Sequence, residues 1–118
     1  MQETDYSIEQ GQLVIRDLLT GRILRCDFEA AVSKVLPVPE DDCLVLLDPA
    51  ATKRPTFENL FRVRKDGSVE WKAELPQSHD AYVSVRDCDG RIEANTWNGE
   101  RVEIDLNSGR TKNRQFVK

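Results

Sequence analysis

The one histidine of this 118-residue chain, His79, stands beside Asp80. A histidine with an adjacent carboxylate begins a general-base pair, but that chemistry also needs an oriented acid and a nucleophile or metal. No serine, cysteine or second-histidine motif supplies them, so the pair reads as an exposed loop ahead of a strand. Asp87-Cys88-Asp89-Gly90 has the opening letters of a calcium loop. It lacks the downstream glutamate and further oxygen ligands such a site requires, and serves equally as an Asp-Gly hairpin turn. Glu40-Asp41-Asp42 attracts cations, yet three neighbouring acids in a turn do not converge on one unaided. Cys26, Cys43 and Cys88 are odd in number and widely spaced, with no CxxC pair. They read as reduced thiols of a cytoplasmic protein rather than a disulfide or zinc framework. No P-loop, GxGxxG, GxSxG or HExxH is present. The expectation is a protein that is not an enzyme, with no catalytic residues, no metal and no cofactor.

Charge narrows the partners. The formal charge is −4, unevenly spread: residues 1–60 hold eleven acids and six bases, residues 61–118 ten acids and eleven bases. An acidic chain repels phosphate, which argues against nucleic acid. The basic tail of Arg110, Lys112, Arg114 and Lys118 reads as a solvated strand edge that discourages pairing. No apolar run exceeds Cys43–Leu47, so no helix spans a membrane, and the polar, acidic start does not resemble a secretory signal.

The elements that must position these residues are strands. All six glycines follow turn-prone or polar residues, as in Asp66-Gly67, Asp89-Gly90 and Asn98-Gly99. Between the turns the apolar period is two. Val69, Trp71, Ala73 and Leu75 alternate with charged residues, as do Val102, Ile104 and Leu106. Ala81, Val83 and Val85 alternate with Tyr82, Ser84 and Arg86, which puts Tyr82 on the polar side. Cys43–Leu47 is apolar throughout and reads as a strand buried on both faces. Asp27–Val35 is left between a strand and a single turn, ending at Pro37 and Pro39. Eleven strands are expected, near 5–9, 12–18, 22–28, 31–36, 43–48, 59–65, 69–75, 81–87, 91–97, 100–106 and 111–117.

The chain also repeats. Shifted by 88 residues, Gly11, Val14, Asp17, Leu18, Gly21 and Arg22 fall on Gly99, Val102, Asp105, Leu106, Gly109 and Arg110. Gly67 marks a third copy midway, with an insertion at Pro49–Glu58 where the others have a tight glycine turn. A unit of that length with four short strands is a propeller blade. The fold class is therefore all-β: an antiparallel meander of about three propeller-blade-like sheets, not closed within one chain. One domain over 1–118 would divide into blade-like units near 1–28, 29–76 and 77–118.

Glu103–Arg110 resembles the aLDxxTGxxxW element of quinoprotein-type (PQQ-type) propeller repeats, Ile15–Arg22 resembles a second copy, and Asp66–Trp71 a third. Residues 59–118 are also similar to small stand-alone bacterial proteins of unknown function. The resemblance implies a fold. The repeat's closing tryptophan is present at Trp71 only, with Arg25 and Asn113 at the equivalent places. Neither the full ring nor the calcium and disulfide features of quinone-dependent dehydrogenases fit here, so their cofactor does not carry over.

Two function classes follow. One is a non-catalytic macromolecule-binding protein, with an immunity protein neutralising a basic toxin as a special case. The other is a small hydrolase or lyase whose channel site forms only in an oligomer. Fewer than four blades leave unpaired ends, so either a homodimer completes the ring or the sheets stay open. The binding class expects another protein as partner, steered by Glu40, Asp41, Asp42, Asp87 and Asp89 and anchored by Trp97 and Tyr82. Trp97 reads equally as packing between blades.

Overall fold

The computed structural model describes residues 3–50 and 56–116. Eleven strands follow in order: β1 (Thr4–Glu9), β2 (Gln12–Asp17), β3 (Ile23–Cys26), β4 (Val32–Val38), β5 (Asp42–Leu47), β6 (Leu60–Val63), β7 (Val69–Lys72), β8 (Tyr82–Cys88), β9 (Arg91–Thr96), β10 (Glu100–Ile104) and β11 (Thr111–Phe116). They form three antiparallel sheets, β1-β2-β3, β4-β5-β6-β7 and β8-β9-β10-β11, none closed into a barrel. The undecided stretch after Asp27 bends and then enters β4, which runs through Pro37. A proline is tolerated there because β4 is an edge strand with one ladder only.

Burial explains the stacking. All six residues of β5 are buried. Cys43, Val45 and Leu47 enter one core with Leu13 and Ile15 of β2, while Leu44 and Leu46 enter a second with Val85, Ala94, Val102 and Ile104. The middle sheet is thus covered on both faces and each end sheet on one. The outward face of the first sheet carries Asp5, Ser7, Glu9, Arg16 and Arg25 together with Val14 and the exposed Ile23, and Arg25 and Glu9 pair there at 3.3 Å. The outward face of the third carries Arg86, Glu93, Arg101 and Glu103, with Arg86 and Glu93 paired at 2.9 Å.

The 88-residue repeat is a repeat of hydrogen bonds. Asp17 N donates to Arg22 O (2.9 Å) and Gly21 N to Asp17 O (2.8 Å); Asp105 N donates to Arg110 O (2.8 Å) and Gly109 N to Asp105 O (2.7 Å). Each aspartate also accepts from the backbone two residues on, Leu19 N or Asn107 N. By this correspondence β1, β2 and β3 match β9, β10 and β11. The strand missing from the first sheet is therefore the counterpart of β4 and β8.

Each sheet's last strand docks on the next sheet's glycine turn. A Cβ on Gly67 would lie 2.9 Å from Leu24 Cδ2, and one on Gly109 2.6 Å from the Trp71 ring. Trp71 Nε1 also donates to Leu106 O (2.9 Å) in that turn. Gly21, in the first sheet, has nothing within 4 Å of that position.

Gly21 and Gly109 share φ = 77°, so alanine strains both backbones equally. Only Gly109→Ala also drives a methyl into Trp71. Chemical denaturation should show Gly109→Ala less stable than Gly21→Ala by about 1–3 kcal/mol, the cost of overpacking. Equal losses would refute the docking.

Candidate functional site

The strands carry their turns to two opposite rims. Residues 39–41, 65–67, 89–90 and 106–109 lie at one end, and the segments around Phe57, His79–Ala81 and Trp97–Gly99 at the other. The seven-residue β8 separates Asp87 and Asp89 from the Trp97 rim by about 20 Å at the usual rise per residue. The expected acids and the expected tryptophan therefore do not share a surface.

The acidic turn is mostly structural. Asp41 Oδ2 accepts from Thr4 Oγ1 and Asp41 O from Tyr6 Oη, both at 2.6 Å, which ties the first sheet to the second. Asp42 is buried, contrary to the exposed position expected of it, because Arg62 Nε donates to its Oδ2 at 2.9 Å. Arg62, itself buried, donates further to Leu106 O (2.8 Å) and Pro39 O (3.1 Å) and so joins the second sheet to the third. Glu40 alone of the three has an exposed carboxylate, 3.9 Å from the same guanidinium. Asp87 Oδ1 accepts from Gly90 N (2.8 Å), and Asp89 occupies the left-handed region at φ = 54°. That is a hairpin turn, and among the described residues no acid, cysteine and histidine cluster suits a metal.

Tyr82 is also displaced from its expected face. A bulge between Tyr82 and Ser84 adds one residue to β8, which turns Val83 outward and sends Tyr82 into the core. Its hydroxyl donates to Glu74 O, and burial, with Glu74 nearby, pushes the phenol well above its ordinary range. Asn59, fully buried, clasps the same residue: its Nδ2 donates to Tyr82 O and its Oδ1 accepts from Tyr82 N, both at 2.8 Å. Burial likewise pushes the Cys43 thiol up, with Asp42 adding to the effect.

Trp97 is 72% exposed and does not pack between sheets. Its backbone N donates to Ala81 O (2.9 Å). The neighbouring Asn98 donates its N to Asp80 Oδ1 (3.1 Å) and its Nδ2 to His79 O (3.1 Å). His79 and Asp80 do not form a dyad. The imidazole Nδ1 lies 3.2 Å from Ser78 Oγ, whereas Asp80 turns inward and is 4% exposed. Asp80 Oδ1 accepts from both Ala81 N (2.9 Å) and Asn98 N. Together Pro49, Ala50, Phe57, His79, Asp80, Ala81 and Trp97 line a pocket of about 320 Å³. Phe57 and Asp80 were not among the expected site residues. Their signal is tertiary: a parallel bridge from Phe57 to Ala81 brings two loops together across the insertion.

A family model described as "Domain of unknown function (DUF7957)" matches residues 4–116. No curated protein matches the chain. Among solved structures, the computationally designed protein Ika8 superposes with a TM-score of 0.68 at 15% identity, over 100% of this chain and 35% of its own. BamB from Moraxella catarrhalis superposes with a TM-score of 0.56 at 13% identity, over 99% of this chain and 36% of its own. The chain spans about a third of either structure, and these likenesses support a propeller-like fold.

The Arg62 arrangement is testable. Arg62→Met leaves a buried Asp42 without its cation and should cost about 3–5 kcal/mol. Glu40→Gln, at an exposed pair, should change stability by less than about 1 kcal/mol. Thermal or urea denaturation reads both, and similar losses in the two variants would contradict the assignment of Asp42 to the fold.

Proposed function

The chain belongs to the DUF7957 domain family, and on that footing we propose that it is a non-catalytic binding protein that engages a positively charged protein through the rim around Trp97. The three glycine turns are read as degenerate quinoprotein-type repeats that serve as scaffold, with no quinone bound. The observation that carries the reading is the exposure of Trp97. A large indole left 72% open, while its backbone is tied to Ala81 and its neighbour to Asp80 and His79, is a preordered anchor. An indole turns about only two side-chain bonds, so covering it costs little entropy, and tryptophans are enriched among the residues that dominate binding energy. The formal charge of −4 favours a basic partner through encounter rate. Exposed Glu40, Asp87 and Asp89, on the far rim, contribute to that field and not to the contact.

The test is capture of partners from the source cell by wild type, Trp97→Ala and Glu40→Ala. Trp97→Ala should fold with stability within about 0.5 kcal/mol of wild type, as expected of an exposed position. It should lose partner affinity by about thirtyfold, as for a buried anchor. Glu40→Ala should retain the partner and differ only at low salt. Recovery of the same partners by Trp97→Ala would overturn the reading.

A further inference from the structure

Resting on the reading of Trp97 as an anchor, we propose that the pocket beside it receives a primary ammonium group, the side chain of a lysine on the partner, with Asp80 as counter-ion. Asp80 is more than nine-tenths buried, and its Oδ2 has no hydrogen-bond donor among the described residues. A buried carboxylate oxygen without a donor is costly; Asp41 Oδ1 and Glu100 Oε2 share that state, and of the three residues Asp80 is the one beside Trp97. Here the residue also lines a pocket of about 320 Å³, room enough for one long side chain.

The chemistry of the occupant follows from which oxygen is free. Oδ1 already accepts two backbone N–H groups, from Ala81 and Asn98. The carboxylate therefore offers one oxygen, not two. A guanidinium binds a carboxylate best through a two-pronged fork, which needs both oxygens. An ammonium is a compact charge that is served by one. The remaining walls suit its stem: Pro49, Ala50, Phe57 and Ala81 are apolar, and Trp97 adds an aromatic side chain to the lining. Methylenes pack on such walls while the charge meets the carboxylate, and the indole adds attraction for the cation.

The experiment uses the whole chain and three probes of matched length: Nα-acetyl-lysine amide, Nα-acetyl-norleucine amide and Nα-acetyl-arginine amide. Proton–nitrogen NMR follows the Trp97 indole and the Ala81 and Asn98 amides. The lysine probe should shift these signals and bind about tenfold more tightly than either other probe, the scale expected from losing one charge-assisted hydrogen bond. Asp80→Asn keeps an oxygen for the two backbone donors and removes the charge, and should weaken the lysine probe by a similar factor. Equal binding of lysine and norleucine, tighter binding of arginine, or no shift at millimolar probe would overturn the proposal even if Asp80→Asn fails to fold. If Trp97→Ala loses the captured partner while Asp80→Asn retains it, the ammonium site is wrong and the Trp97 surface stands. If both retain it, the surface itself is wrong.

Discussion

The structure depends on the middle sheet's inner strands, β5 and β6, being dry on both sides. β5 presents six successive buried residues, and no two-layer arrangement can hide them all. Alternation sends Cys43, Val45 and Leu47 one way and Leu44 and Leu46 the other, so a sheet must lie on each face. The first and third sheets meet that demand with one apolar face apiece. Their outward faces carry cross-strand ion pairs.

Buried polar groups fix how the layers sit. Hydrophobic area alone lets sheets slide, whereas a buried donor without its acceptor is penalised. Asp41 holds Thr4 and Tyr6 of β1 at one rim. Arg62 and Trp71 meet on the same carbonyl, that of Leu106, and set the second sheet against the third. Asn59 clasps Tyr82 on the other side of that junction. The closeness of the Trp71 ring to Gly109 is a consequence: only a residue without a side chain lets the indole lie on the turn.

Most of the fold was legible because it rests on local rules. Glycine after a polar residue marked the turns, a period of two marked the strands, and the run Cys43–Leu47 marked β5 as doubly buried, though β6 beside it is buried throughout as well. The insertion read at Pro49–Glu58 lies in part, at residues 51–55, outside the described residues. What was not legible depended on contacts distant in sequence or on one extra residue. The bulge at Val83 reverses the face of Tyr82, and no residue nearby announces it. Asp42 looked like a surface acid because its partner, Arg62, lies twenty positions away. Asp80 read as part of an exposed loop with His79, and only the loop around Phe57 and the Trp97 turn bury it. The acids and the tryptophan seemed one surface because a sequence does not say which rim a turn occupies.

The functional account comes down to whether the Asp80–Trp97 rim is where a partner lands. Amide hydrogen exchange with and without the captured protein tests this directly. The N–H groups of Ala81 and Asn98 both end on Asp80 Oδ1, so they report on any occupant of that carboxylate's pocket. The account predicts slower exchange for residues 79–81 and 97–99 on binding, with the 39–41 and 87–90 turns unchanged. Protection confined to those acidic turns, with 79–81 and 97–99 unaffected, would contradict it.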